Sequence, residues 1–72
     1  MTEVAELRGE IAKRGISMKQ LSEAVGLGRT ALSQRINEHV EFKNSEFKAA
    51  AEAVGVPAWE LMRRAEEAEA RK

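Results

Sequence analysis

Apolar residues recur at three- and four-residue spacing along the chain, and glycines together with a loop at 38–44 divide the pattern into five segments. The first spans roughly Glu3 to Arg14, with Val4, Leu7 and Ile11 on one stripe, Thr2 as the N-cap candidate and Gly15 as the stop. Gly9 is a weak point inside it. Ser17 opens the second segment, and Gln20 three residues later completes a capping-box pattern. That segment ends at Gly26. Leu27 alone separates Gly26 from Gly28, a permissive N-cap for a third helix from Arg29 to Asn37. Residues 38 to 44 read as a loop, after which Asn44 or Ser45 caps a fourth helix burying Phe47, Ala50, Ala51 and Val54 and closed by Gly55. Pro57 fits the first turn of a fifth helix over about 57–70, because its missing N–H would have no partner there anyway. Ala58, Leu61, Met62, Ala65 and Ala68 share one face of that helix, and Glu60/Arg64, Arg63/Glu67 and Glu67/Arg71 stand one turn apart on the others. The run His39 to Lys43 alternates like a strand. With no second strand to pair with, it is expected to be loop, with Val40 or Phe42 tucked onto the core. The pattern predicts an all-α chain forming one five-helix domain over 1–72.

The stretch from Met18 to Asn37 is the informative one. Leu21, Val25, Leu27, Leu32 and Ile36 are its apolar positions, Ser22 is small where two helices would cross, and Gly26 permits a left-handed turn. On a wheel anchored by Leu32 and Ile36, the far side of the third helix shows Thr30, Gln34 and Asn37, flanked by Ser33, with Arg29 at the tip. An ordinary solvent-facing helix would carry Glu and Lys there. A row of hydrogen-bonding side chains headed by arginine suits the edges of base pairs.

At these residues the sequence resembles the phage-repressor and Cro type of helix-turn-helix family, the lambda repressor-like domains. The likeness rests on Gly26-Leu27-Gly28-Arg29-Thr30 at the turn and on Asn37 at the end of the recognition helix. Beyond the motif, Ala50-Ala51-Glu52-Ala53-Val54-Gly55-Val56-Pro57 followed by Glu60-Leu61-Met62 resembles the family's fourth and fifth helices. The resemblance implies a DNA-binding regulator, a Cro-like or immunity-type repressor that binds a double-stranded operator as a homodimer with the helix from Arg29 in the major groove. It assigns base reading to Arg29, Thr30, Ser33, Gln34 and Asn37, and phosphate contact to Ser17, Lys19 and, by its loop position, Lys43. Where the family commonly has a glutamine that braces the first recognition residue, this chain has Met18. Arg29 is thereby left free to reach guanine O6 and N7.

Charge sharpens this picture. The formal net charge is zero, yet Lys13, Arg14, Lys19, Arg29 and Arg35 stand against Glu23 alone between positions 13 and 35, a local excess of four. Arg35 is a further phosphate candidate and reads equally as solvated surface charge. Glu66, Glu67 and Glu69 are interleaved with Arg63, Arg64, Arg71 and Lys72 and read as a solvated helix face. Trp59 lies off the Leu61/Ala65 stripe. It is either an aromatic packed in an edge groove beside Met62 or, with Met62, the seam of a dimer.

Other classes find less support. The chain has no Cys, Asp or Tyr and a single His39, so nucleophile–base pairs and thiolate metal sites have few components, and no enzyme, cofactor, metal or small-molecule ligand is expected. No apolar run approaches about 18 residues, and residues 1–3 do not start a signal peptide, so a cytoplasmic chain in a bacterial or phage-infected cell is the expectation. The rival reading is an antitoxin-like protein-binding module on the same fold. A third is two packed helices with a glycine turn and no nucleic-acid role.

Overall fold

The computed structural model describes residues 2–71; Met1 and Lys72, the two ends of the expected 1–72 domain, lie outside them. Five helices follow in order: α1 (Glu3–Arg14), α2 (Met18–Val25), α3 (Arg29–Ile36), α4 (Asn44–Val54) and α5 (Ala58–Ala70). No strand occurs among the described residues, and His39 to Lys43 is irregular.

Each end is explained locally. Thr2 caps α1 by accepting the Ala5 amide at 3.1 Å. The Ser17 hydroxyl accepts the Gln20 amide at 3.1 Å while the Gln20 side chain accepts the Ser17 amide at 3.1 Å, so the capping box forms at α2. Three boundaries differ from the sequence expectation, the first being the end of α3, where Ile36 is the last helical residue and Asn37 the C-cap. The N-cap of α4 is Lys43 rather than Asn44 or Ser45, because the Glu46 carboxylate reaches back to the Lys43 amide at 2.9 Å and satisfies it without a hydroxyl cap. Pro57 is the N-cap of α5 rather than its first residue, with extended ψ of 144° and its carbonyl accepting the Leu61 amide.

One leucine from each of four helices is fully buried: Leu7, Leu21, Leu32 and Leu61. Each is worth about 1.5–3 kcal/mol relative to exposure. Helix α4 runs through the middle of the set, adding Phe47, Ala50, Ala51 and Val54, and its paired alanines let α2 approach closely. Phe42, rather than Val40, turns inward from the loop and meets Phe47 edge-to-face at 5.8 Å between ring centroids, whereas Val40 remains exposed. Helix α1 packs on both α4 and α5. None of the helices is long and apolar enough to cross a membrane among the described residues.

Candidate nucleic-acid interface

The motif is built by α2, the turn at Gly26 and α3. Gly26 has φ of 79°, and its amide and that of Leu27 both close on the Ser22 carbonyl, at 2.9 and 3.2 Å. A left-handed residue is needed there, and glycine adopts it without the Cβ clash. Leu27 turns half-buried onto the core, and Gly28 then starts α3. Leu32 and Ile36 hold α3 from behind, so its opposite side faces solvent. Arg29, Thr30, Gln34 and Asn37 are exposed and Ser33 is half-buried.

Among the described residues, the Arg29, Thr30 and Gln34 side chains make no hydrogen bond or ion pair within the protein. Their donors and acceptors are held out on a rigid helix with nothing to satisfy but water or a ligand. Met18, on α2, is half-buried against the core. Asn37 differs from its neighbours. Its Nδ2 donates to Ser33 Oγ at 3.2 Å, one turn earlier, so the two form a linked pair that the sequence reading treated as independent.

The phosphate candidates divide. Lys19 and Lys43 are exposed and form no ion pair among the described residues. Ser17 spends both its hydroxyl and its amide on Gln20, which makes it chiefly the shaper of the α2 terminus. Arg35 is turned inward instead of toward solvent. Its Nε donates to Glu46 Oε1 at 3.0 Å, its Nη1 donates to the Ala31 carbonyl at 3.0 Å, and only 16% of the side chain is exposed. Arg35 thus braces α3 against α4 within the fold, and a phosphate contact from it stays a proposal. The cause is Glu46, whose position on α4 opposite α3 could not be read from spacing along one helix.

That carboxylate does two things. One oxygen, Oε1, accepts from both the Lys43 amide and Arg35, so it fixes the start of α4 and the rotation of α3 together and sets Lys43 beside the end of the recognition helix. The Lys43 amide, followed by the Arg35 guanidinium, holds the Glu46 carboxyl below its ordinary pKa.

The helix termini add to the electrostatics. Helices α1, α4 and α5 carry Glu in their first turns, whereas α2 and α3 carry no acid there. An acid at a helix start stabilises by about 0.3–1 kcal/mol. Its absence from these two alone leaves their positive ends uncompensated on the side that presents Lys19 and Arg29.

Sequence reasoning missed Glu10. It is buried on α1 with 5% exposure, and its Oε1 lies 3.4 Å from Arg14 and 3.6 Å from Arg64 of α5. Its polar identity hid it from a search for apolar stripes. Trp59 and Met62, the seam candidates, are 65% and 42% exposed on adjacent turns of α5, beside a groove against α4. His39 lies exposed in the loop, and no group of three or more His, Cys, Asp or Glu is placed to hold a metal among the described residues.

Comparison with known proteins agrees with this geometry. A family model described as Helix-turn-helix matches residues 4–61, from α1 through the first turn of α5. Neither a curated protein nor a solved structure gives a significant match. With the motif, the exposed polar row and the flanking helices all inside the matched segment, the chain belongs to the helix-turn-helix family of the lambda repressor and Cro type, and is a DNA-binding regulator.

Proposed function

We propose that this chain is a transcriptional repressor of the Cro or immunity type that binds an operator as a dimer, with α3 lying in the major groove of each half-site. The observation that carries the reading is the row Arg29, Thr30 and Gln34, exposed and without side-chain partners among the described residues, on a helix locked from behind by Leu32 and Ile36. Arg29 sits at the N-terminal end of α3, the end from which recognition helices contact base edges. A bidentate contact from its guanidinium to guanine O6 and N7 contributes about 1–3 kcal/mol of discrimination. Thr30, Ser33, Gln34 and Asn37 read or frame the adjacent bases. Lys19 and Lys43 grip phosphates and fix the register.

Selection of bound sites from a random duplex pool tests this. The selected sites should be inverted repeats containing a guanine whose preference disappears in Arg29→Ala. In salt titrations, Lys19→Ala and Lys43→Ala should each flatten log K against log salt by about one unit per half-site without changing the preferred sequence. Binding that ignores salt, or an unchanged base preference in Arg29→Ala, would reject the operator reading, and salt-indifferent retention would select the antitoxin-like protein-binding module instead.

A further inference from the structure

We propose that Glu46 determines specificity without touching DNA: by holding Arg35 inside the fold, it withholds one guanidinium from the phosphates and so limits sequence-independent binding. The inference rests on the reading of α3 as the DNA-docking helix and deepens it. Arg35 follows Gln34 in the last turn of α3, about 100° around the helix from it. It therefore stands on the flank of the exposed row, where an outward guanidinium meets sugar-phosphate backbone rather than base edges. Yet only 16% of its side chain is exposed. Lys19, Arg29 and Lys43 are exposed and form no ion pair among the described residues. Of the cations on this face, Arg35 alone is drawn inward by an acid from another element.

The geometry shows what keeps it there. Helix α3 packs on α1 and α2 but makes no close backbone approach to α4 among the described residues. The contact from Arg35 Nε to Glu46 Oε1, at 3.0 Å, spans that gap. The same oxygen accepts the Lys43 amide at 2.9 Å, so the carboxylate is pinned to the start of α4 and does not follow Arg35 outward. The second acceptor, the Ala31 carbonyl at 3.0 Å, is neutral. A carboxylate competes with phosphate because both make charge-assisted bonds, which are about twice as strong as bonds to neutral acceptors. Ala31 alone does not compete.

Restraint of one cation favours discrimination. A phosphate contact strengthens binding in every register, and competing sites outnumber an operator by about a millionfold or more. Contacts to base edges strengthen the correct site alone. The zero net charge of the chain acts in the same direction.

The full chain is titrated with a random-sequence duplex over a range of salt concentrations, and then with the duplex obtained by site selection. Glu46→Gln removes the charge and keeps an oxygen for the Lys43 amide, so α4 still starts correctly. On the random duplex it should steepen log K against log salt by about one unit per bound domain and tighten binding roughly fivefold at about 0.1 M salt. Adding Arg35→Ala to the same chain should remove both gains. Glu46→Ala, which lacks both bonds, should steepen the slope at least as much as Glu46→Gln. Glu52→Gln, an equal charge loss at an exposed position of α4, should leave the slope as it is. The preference of Glu46→Gln for the selected site over the random duplex should fall by roughly threefold. Circular dichroism confirms that each variant folds.

An unchanged slope in both Glu46 variants overturns the proposal. So does a gain that survives Arg35→Ala, or a site preference that does not fall. A native chain whose binding ignores salt instead sinks the docking of α3 itself, so the two failures are distinguishable.

Discussion

Arg35 Nε lies 3.0 Å from Glu46 Oε1, joining the recognition helix to the start of α4 through a contact that is almost wholly enclosed, with 16% and 13% of the two side chains exposed. Enclosed, charge-assisted hydrogen bonds of this kind resist solvent competition better than surface pairs. Arg35→Ala removes this bond, the one to Ala31 and the packing of the alkyl stem. It should lower Tm by about 4–8 °C in a domain of this size while leaving the salt slope of DNA binding unchanged. A fall in slope equal to that of Lys19→Ala would return Arg35 to the phosphate-binding set.

The same carboxylate predicts an acid-limb effect. Glu46 is held below its ordinary value of 4.5, first by the Lys43 amide and then by Arg35. A depressed folded-state pKa means that the stabilisation is fully present above the unfolded value and is lost as pH falls through the lower folded one. Thermal melts of the native chain and of Glu46→Gln should therefore differ most at pH 6–7 (about two units above that value) and converge only as pH falls through the lowered folded-state pKa. A constant gap across the acid range would show that the ionised form has no special role.

Two glycines should respond to alanine with opposite signs. Gly9 lies inside α1 with nothing within 4 Å of the position a Cβ would take, so Gly9→Ala should stabilise by about 0.5–1 kcal/mol. Gly55 has φ of 87°, and an added Cβ would stand 3.2 Å from Arg14 Nη1. Gly55→Ala should cost about 1–2 kcal/mol. Denaturant midpoints of the two variants decide the matter, and a stabilised Gly55→Ala would contradict the left-handed cap.

These cases also show which parts of the molecule were legible in the sequence. Helices α1 to α5 could be read because their apolar stripes recur locally and because glycines mark the stops of α1, α2 and α4. The row on α3 could be read because Leu32 and Ile36 define its back. Contacts between helices were not legible. Arg35–Glu46 and Glu10–Arg64 join residues on different elements, and a charged residue carries no mark of burial in a one-dimensional pattern. The end of α3 was hidden for another reason. Glu38 takes the left-handed position, φ 63°, usually given to glycine, and is held there by Thr2 at 2.9 Å and Arg8 at 4.0 Å, both from the other end of the fold.

The Ser33–Asn37 pair bears on specificity. Because Ser33 Oγ accepts from Asn37 Nδ2, its own proton is directed elsewhere, and under the proposed base reading Ser33 would offer DNA a donor suited to guanine O6 or N7 or thymine O4. Truncating either residue frees the other, so their effects on operator affinity should not add. A double-mutant cycle of Ser33→Ala and Asn37→Ala on the selected site should give a coupling of at least about 0.5 kcal/mol. Strict additivity would mean that the two side chains contact DNA separately.

Glu10 is the enclosed member of a three-residue cluster whose arginines, Arg14 and Arg64, keep 45% and 35% of their side chains exposed. The asymmetry sets which loss is costly. Removing Glu10 leaves two guanidiniums that water can reach, and Arg64 retains Glu60 at 3.3 Å, so Glu10→Met should change stability by less than about 1 kcal/mol. Removing one arginine leaves Glu10 with the other and should also be mild. Removing both strands an enclosed carboxylate, and Arg14→Ala with Arg64→Ala should cost about 2 kcal/mol more than the sum of the single variants. Urea titrations of the four proteins measure this directly. Additive losses would mean that Glu10 is solvated in the folded chain, and that α1 and α5 are held together by Leu7 and Leu61 without help from the ion cluster.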